Sequence, residues 1–298
     1  MDPVVTQKQA LSINEQIELL AERGLDIGDT AAAAQVLYDS NYYRLMGYGR
    51  QFQIDPRNGD NRFEPGTTLA QLRGLMLLDA EFSRRLLHAL GIIELTVRSR
   101  YALELAATGG PKAFYLRPAS YVSSPTIDTH VVQLISTIED ELRRDKGRAV
   151  LHYAPSREDF SEVPVWVAIE VMSFGRISEM MTYLADNRPR DAVASSFGEP
   201  NKSFASTLHS LAVLRNRCAH HGQLWHRHLG IQTPTTGKQR HRAGVKFDYQ
   251  GPFAAVLAIQ RLLSHIQGGE DALHALNTFI AEVPAEYMNG IYNPKPRF

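Results

Sequence analysis

The chemistry suggested by this sequence centres on an arginine and a histidine that stand five positions apart. Arg215 is followed directly by Asn216, and His220 comes four residues after Asn216. A guanidinium can hold two phosphate oxygens at once, and an imidazole titrates near neutral pH, so it can give or take a proton. Two such groups acting on one phosphodiester could cut it. Arg215, Asn216 and His220 are therefore the candidate catalytic residues.

Helical geometry indicates which of these side chains can act together. At about 100° per residue, Asn216 and His220 lie roughly 40° apart around a helix axis, whereas Arg215 lies roughly 140° from His220. Arg215 stands at the edge of an apolar stripe, where a guanidinium must either reach out past the edge or find an acid or another hydrogen-bond acceptor. We therefore expect a residue across the core to pair with Arg215. The spacing by itself is a weak signal, because a histidine at a helix end often only stabilises the helix dipole.

The distribution of charge favours contact with a polyanion. The chain has 32 basic and 32 acidic residues, so its overall composition gives no sign of nucleic-acid binding. Residues 201–247, however, contain no Asp or Glu, but they contain eight Lys or Arg and six of the 11 His. Such cations supply most of the affinity for a phosphate backbone. An ordinary solvated loop is the alternative for residues 233–242. The candidate RNA-binding residues are Arg217, Arg227, Lys238, Arg240 and Arg242.

Several short blocks occur in an order that is typical of one known family. Around the candidate site the chain reads LRNRCAHH at residues 214–221 and LWHR at residues 224–227. The other blocks are Ser12-x-x-Glu15-Gln16-Ile17, Arg23-Gly24-Leu25, Asn41-Tyr42-Tyr43-Arg44-Leu45, Phe63-x-Pro65-Gly66-Thr67, Ile93-Glu94 with Arg98, and Pro164-x-Trp166 leading to Glu170-x-x-Ser173. From about residue 12 to residue 230 the chain resembles the Abi-like (abortive infection) proteins, a bacterial branch of the HEPN superfamily.

The resemblance implies an all-α fold, a HEPN-like helical bundle in which the Arg-x4-His pair serves metal-independent RNA cleavage, usually in a homodimer. In the resembled family, positions equivalent to Glu94 and Arg98 recur beside the active helix. Glu94 is therefore the first choice of partner for Arg215, with an exposed Glu94–Arg98 ion pair as the alternative. Glu170 and His221 are further supporting candidates. On its apolar helix, Glu170 is either a satisfied buried acid or a neighbour of the active site.

A long helix is predicted to position the active segment. Thr67 and Thr68 form a helix start, and apolar residues then recur every three or four positions to about Ala107. One helix of that length is about 60 Å long, and it can serve as the spine against which the Arg215 helix packs. The glycines at 109 and 110 and Pro111 are predicted to end it.

Shorter patterns define the rest of the chain. A turn-rich stretch separates a small helical N-terminal module, residues 1–58, from the HEPN-like bundle, residues 59–298. No strand pattern of any length appears, and the tail from residue 293 is expected to be loose. Further helices are predicted from Ser12 to about Glu22, from Asp29 onwards, at Ile127–Lys146, from Pro164 through Ser173, from Arg188 to Gly198, from about Asn201 to His220, at Phe253–Ile266 and at Asp271–Val283.

Other chemistries find little support in the sequence. The chain contains no Gly-x-x-x-x-Gly-Lys loop, no His-Glu-x-x-His motif and no Gly-x-Ser-x-Gly elbow. The spacing of Cys218 and the nearby histidines fits no zinc pattern, so we expect neither a metal nor a cofactor. As the single cysteine, Cys218 lies on the apolar stripe and is predicted to be a small buried side chain. No apolar run is long enough to span a membrane, so we expect a cytoplasmic protein without membrane contact.

The sequence and the resemblance together predict an endoribonuclease of anti-phage abortive infection. RNA would be cut by attack of its own 2′-hydroxyl, with His220 moving a proton and Arg215 holding the phosphate. One helix supplies a single His220, so two proton transfers favour a homodimer. The alternative is a non-catalytic RNA-binding or protein-interaction scaffold. Some HEPN toxins carry a tyrosine at the position of Gly222, and a partner enzyme modifies that tyrosine to silence them. We do not expect this form of control here. Restraint by a protein antitoxin, a small RNA or a phage trigger stays open.

Overall fold

The fold is all-α, as predicted. The computed structural model describes residues 9–110 and 113–297. A short hairpin of β1 (Gln53–Asp55) and β2 (Asp60–Phe63) accompanies the helices. The helices are α1 (Ile13–Glu22), α2 (Thr30–Ser40), α3 (Tyr42–Gly49), α4 (Leu69–Gly109), α5 (Ile127–Arg144), α6 (Arg148–Tyr153), α7 (Val165–Val171), α8 (Phe174–Tyr183), α9 (Arg188–Ser196), α10 (Asn201–Ala219), α11 (Gly237–Ala243), α12 (Pro252–Leu263), α13 (Glu270–Glu282) and α14 (Ala285–Tyr292).

Helix α4 is the predicted spine. The Thr68 hydroxyl accepts a hydrogen bond from the Gln71 backbone N–H at 3.0 Å, which caps the first turn. The helix continues for 41 residues, about 60 Å, to Gly109. Helices α3, α7, α9, α10, α12 and α13 all pack against it, and its buried residues therefore lie on more than one face. Gly110 follows with φ 76°, whereas Pro111, which was predicted to help end the helix, lies outside the described residues.

Helix α10 packs against α4 and runs in the opposite direction. Cys218, near the end of α10, lies against Ser83 in the first half of α4. Phe197, which precedes α10, lies under the guanidinium of Arg100 in the second half of α4, at 4.2 Å from the ring centre. Cys218 is buried, as predicted, and burial raises the pKa of its thiol to about 12. These contacts fix the position along α4 at which α10 ends.

The N-terminal helices form a smaller hydrophobic core of their own. The predicted capping box is confirmed: Ser12 Oγ accepts from the Glu15 N–H at 3.3 Å, and the Glu15 carboxylate accepts from the Ser12 N–H at 2.7 Å. Leu20 and Leu37 are central to this core, and Leu72 at the start of α4 belongs to it as well. The boundary at residue 58 stays a prediction, because the smaller core includes residues on both sides of it.

Four expectations about local structure are wrong. The hairpin β1–β2 was missed because strands of three and four residues are too short to show alternation. Helix α11 was assigned to a loop, and no element was predicted where α14 lies. The tail itself is held, since Arg297 donates to the carbonyl of Gln51 at 2.8 Å; Phe298 lies outside the described residues. The helix expected from Pro164 through Ser173 is divided between α7 and α8.

The break between α7 and α8 has a cause in the spine. The guanidinium of Arg98 donates to the backbone carbonyls of Ile169 and Met172, the second at 2.6 Å. The Ser173 N–H, which would bond the Ile169 carbonyl in an unbroken helix, donates instead to a carboxylate oxygen of Glu141 at 3.0 Å. Two charge-assisted bonds therefore replace the helical bond between Ser173 and Ile169. Arg98 donates to the freed carbonyl, and Glu141 accepts from the freed N–H.

Candidate functional site

The candidate site lies where α10 ends. Ala219 is the last residue of the helix, and His220 caps it, donating its backbone N–H to the Asn216 carbonyl at 2.9 Å. His221 then adopts a left-handed conformation, with φ 55°. The Gly222 N–H reaches back to the carbonyl of Arg217 at 2.8 Å, and the His221 N–H donates to the next carbonyl along α10 at 3.0 Å. This pair of bonds is a Schellman motif, which turns the chain sharply after His220.

Gly222 packs closely inside this turn. A Cβ atom at position 222 would lie 3.2 Å from the carbonyl oxygen of Arg217 and 2.8 Å from its Cγ. The position of His221, by contrast, is the one that glycine usually occupies in such a motif, and a histidine there is strained by about 1–2 kcal/mol. The chain therefore carries an imidazole at a backbone position that does not favour one.

Arg215 is held by the predicted partner. The carboxylate of Glu94 on α4 lies 3.4 Å from Arg215 Nε, and its other oxygen accepts from the guanidinium of Arg98 at 2.5 Å. Only 11% of the Glu94 side chain and 10% of the Arg98 side chain are exposed, against 41% for Arg215. The inner ion pair is thus buried rather than exposed, and Arg215 lies at its outer edge with part of its guanidinium open to solvent.

The three candidate catalytic residues share this exposed end of α10. Arg215 Nη1 donates to the side-chain carbonyl of Asn216 at 3.2 Å. Asn216 and His220 are both exposed and lie one helical turn apart. Within the described residues neither ring nitrogen of His220 has a hydrogen-bond partner, so the imidazole is open to a ligand.

A buried aspartate that sequence reasoning missed holds the segment after the turn. Asp79 on α4 is 2% exposed, and it accepts hydrogen bonds from the backbone N–H groups of Leu224 and Trp225 at 2.8 and 3.0 Å. The hydroxyls of Tyr48 and Tyr287 donate to it at 2.8 and 2.7 Å. Burial raises the pKa of this carboxyl, and the four hydrogen bonds, which favour the ionised form, oppose that rise. Asp79 could have been identified from the sequence, because it is an acid at a position of α4 that faces the core.

One known family matches most of the chain. A model of the family described as Abi-like protein matches residues 35–226, which is more than half of the chain. The chain belongs to the Abi-like protein family. The match includes Glu94 and Arg98, Arg215 and His220. No curated protein and no solved structure matches the chain.

Two predicted RNA-binding cations of this Abi-like protein lie near each other, one on α10 and one in the segment that follows it. Arg217 and Arg227 are both half-buried, and burial lowers the pKa of both guanidiniums, although an arginine stays charged at neutral pH. Arg227 donates to the side chain of Gln223 at 3.3 Å, and Gln223 in turn donates to the carbonyl of Gly47 on α3 at 3.2 Å. Arg227 therefore connects the candidate site to α3.

The other predicted RNA-binding cations are at a distance from His220. They lie on α11, which is outside the family match. Thr236, just before α11, contacts Arg261, which is paired with Glu199 before the start of α10. His220 lies at the other end of α10, about 28 Å along its axis. The role of the α11 cations in RNA binding stays a prediction. These cations are Lys238, Arg240 and Arg242.

The remaining supporting candidates differ in their surroundings. Glu170 is exposed, so the alternative of a satisfied buried acid is wrong. It follows Ile169, whose carbonyl accepts from Arg98, and it therefore lies on the same side of α4 as the Glu94 pair. His221 is exposed beside His220. Among the described residues, no three His, Cys, Asp or Glu side chains are placed to hold a metal ion, and no helix is both long and apolar enough to cross a membrane.

Proposed function

We propose that this Abi-like protein is a metal-independent endoribonuclease of the HEPN superfamily, and that it acts in anti-phage abortive infection. The observation that supports the proposal most directly is the end of α10. There Glu94 fixes the partly exposed guanidinium of Arg215, and the exposed ring of His220 has no hydrogen-bond partner among the described residues. A phosphate held by Arg215 would lie within reach of groups on the same helix end.

The reaction follows from the chemistry of these groups. The 2′-hydroxyl of the RNA attacks the neighbouring phosphorus, a base takes the 2′ proton, and the bond from phosphorus to the 5′ oxygen breaks. An acid returns a proton to the leaving 5′ oxygen, so the products are a 2′,3′-cyclic phosphate and a 5′-hydroxyl. His220 serves one of the two proton transfers, each of which contributes about 10²–10⁴ in rate. Asn216 orients the imidazole or holds the ribose.

The charge balance of the inner ion pairs suits a phosphate. Glu94 carries one negative charge and is shared by the two guanidiniums of Arg98 and Arg215. One positive charge therefore remains, and it lies on the exposed side, where Arg215 is. A guanidinium that is already fixed stabilises the charge of the phosphorane without having to reorganise during the reaction. In this proposal Arg98 is a positioning residue, because it acts only through Glu94 and the backbone of α7.

A second copy of the chain supplies the second proton transfer. One copy has a single His220 at the end of α10, and two copies related by a two-fold axis would bring two of these rings to one RNA. The exposed face of His220 and Asn216 is open to such contact. Co-expression of wild-type and His220→Ala chains tests this arrangement, because a mixed dimer has only one ring. The rate of the purified mixed dimer should fall about as far as that of His220→Ala if both rings serve one RNA, whereas copies that act alone would keep about half of the wild-type rate.

The decisive experiment compares cleavage of a labelled single-stranded RNA in EDTA. The wild-type protein is expected to cut it and to leave 2′,3′-cyclic phosphate ends, whereas the same sequence with 2′-deoxyribose stays intact. His220→Ala and Arg215→Ala should each lower the rate by at least about 100-fold. His241→Ala is the matched control, since it removes another exposed histidine of the acid-free stretch and should leave the rate unchanged.

Three results would count against the proposal. Loss of cutting in EDTA would show that a metal is required. Equal rates for wild type and His220→Ala would remove His220 from the mechanism. If wild type and His220→Ala both bind RNA and neither cuts it, the protein is a non-catalytic RNA-binding scaffold.

A further inference from the structure

A cavity of about 870 Å³ lies between α1, α3, the hairpin and the segment that follows the candidate site. Its volume is in the range of cavities that hold small-molecule ligands. Three arginines line it, and no Asp or Glu is among the described residues that do so. The described residues of the lining therefore carry a formal charge of +3. The arginines are Arg23, Arg50 and Arg227.

The three guanidiniums differ in how they are held. Arg23 Nη1 donates to the hydroxyl of Tyr42 at 2.9 Å, which fixes its direction. Arg50 has no side-chain hydrogen bond or ion pair within the described part of the chain. Arg227 is half-buried and bonded to Gln223. A phosphate group suits such a site, because guanidiniums bind its oxygens through paired N–H groups.

Tyrosine rings provide flat surfaces next to these charges. Tyr38 and Tyr43 line the cavity although they are 79% and 77% exposed, and large aromatic side chains are not usually left so open. Tyr42, which also lines the cavity, meets the Tyr43 ring edge-to-face at 5.6 Å between ring centres. Aromatic rings of this kind stack on nucleobases and tolerate any base.

Two glutamines that line the cavity have a buried side-chain oxygen without a partner among the described residues. Gln53 is only 2% exposed, and its Nε2 donates to the carbonyl of Asn61 at 3.0 Å. Its Oε1 is buried and accepts no hydrogen bond from the described residues. The same is true of Gln16 Oε1. A buried acceptor without a partner destabilises the folded protein, so a ligand that donates N–H groups would remove this cost.

We infer that this cavity is a nucleotide-binding site. The guanidiniums hold the phosphate, the tyrosine rings stack on the base, and Gln16 and Gln53 accept hydrogen bonds from N–H groups of the base. The ligand is a 5′-nucleotide, which is either free or part of a single RNA strand. This site differs from the end of α10, but Arg227 connects the two through Gln223 and the turn. Nucleotide binding in this cavity does not require RNA cleavage.

Isothermal titration calorimetry on the full chain tests the site with the four 5′-nucleoside monophosphates. At least one should bind at least about tenfold more tightly than either adenosine or inorganic phosphate, since both halves of the ligand are recognised. Arg50→Ala should weaken binding at least about tenfold. Arg44→Ala is the matched control: it removes an exposed arginine of the neighbouring helix α3 that does not line the cavity, and it should change the affinity less than twofold.

Tyr43→Ala gives a second variant, because a side chain that is 77% exposed can be removed without loss of the fold. It should weaken binding at least about fivefold. A trinucleotide that binds more tightly than the monophosphates, with the same response to Arg50→Ala, would identify an RNA strand as the source of the ligand. His220→Ala should bind nucleotide like wild type even if it does not cut RNA. Absence of binding by all four monophosphates, or equal binding by wild type and Arg50→Ala, would overturn the inference.

Discussion

Replacement of Glu94 by glutamine tests whether the ion pairs at the spine hold the candidate site. The substitution keeps the shape of the side chain but removes its charge, and it leaves the buried guanidinium of Arg98 without a counter-charge. Removing one partner of a buried ion pair costs about 3–5 kcal/mol. Arg98 keeps the carbonyls of Ile169 and Met172 as acceptors, and the introduced amide oxygen can still accept one bond. We therefore expect Glu94→Gln to lower the free energy of unfolding by about 2–3 kcal/mol.

The matched variant is Arg215→Gln, which removes only the outer partner of Glu94. Because 41% of the Arg215 side chain is exposed, its ion pair is screened, and we expect a loss of about 0–1 kcal/mol. Urea unfolding followed by circular dichroism measures both values at neutral pH. Equal losses for the two variants, or a stable Glu94→Gln protein, would refute the view that the pair with Arg98 is the structural one and the contact with Arg215 the functional one.

Three further predictions concern the segment around the site. Tyr287→Phe should lower the free energy of unfolding by about 1.5–3 kcal/mol in the same urea assay, because Asp79 loses one of its hydrogen bonds. Burial lowers the pKa of His226 to about 4, so the folded protein binds a proton at this residue only at a lower pH than the unfolded chain does. The free energy of unfolding should therefore fall as the pH decreases from about 6.5 to about 4. In His226→Asn, urea midpoints should depend less on pH over that window. His221→Gly should raise the melting temperature, with a gain of about 1 kcal/mol, since glycine suits the left-handed position; a loss of stability would show that the ring makes contacts that outweigh the strain.

Local sequence signals were sufficient for the main elements. Thr68 was correctly identified as the start of the spine, because a hydroxyl that caps a helix and the apolar rhythm after it are both encoded within a few residues. The same holds for the capping box at Ser12 and for the end of α10 near His220. The contact between Glu94 and Arg215 was expected from the resemblance and from the need of a half-buried guanidinium for an acid.

Long-range contacts decided what the sequence pattern could not. The acceptor of four hydrogen bonds, Asp79, is separated from Leu224 by 145 residues and from Tyr287 by 208, so no local pattern relates them. Helix α14, which carries Tyr287, was not predicted for this reason. The break after α7 likewise depends on Arg98, which lies 74 residues before the Met172 carbonyl that it binds.

The sequence by itself determined that the chain is helical, where its longest helix begins, and that Arg215 and His220 lie near the end of one helix. These features depend on residues within one or two helical turns of each other along the chain. Over so short a stretch, backbone geometry allows few conformations. Tertiary structure alone decided which acid fixes the turn after His220, which cations lie beside that turn and which lie at the far end of α10. Packing sets those positions, because burial makes a charge costly unless another element supplies its partner.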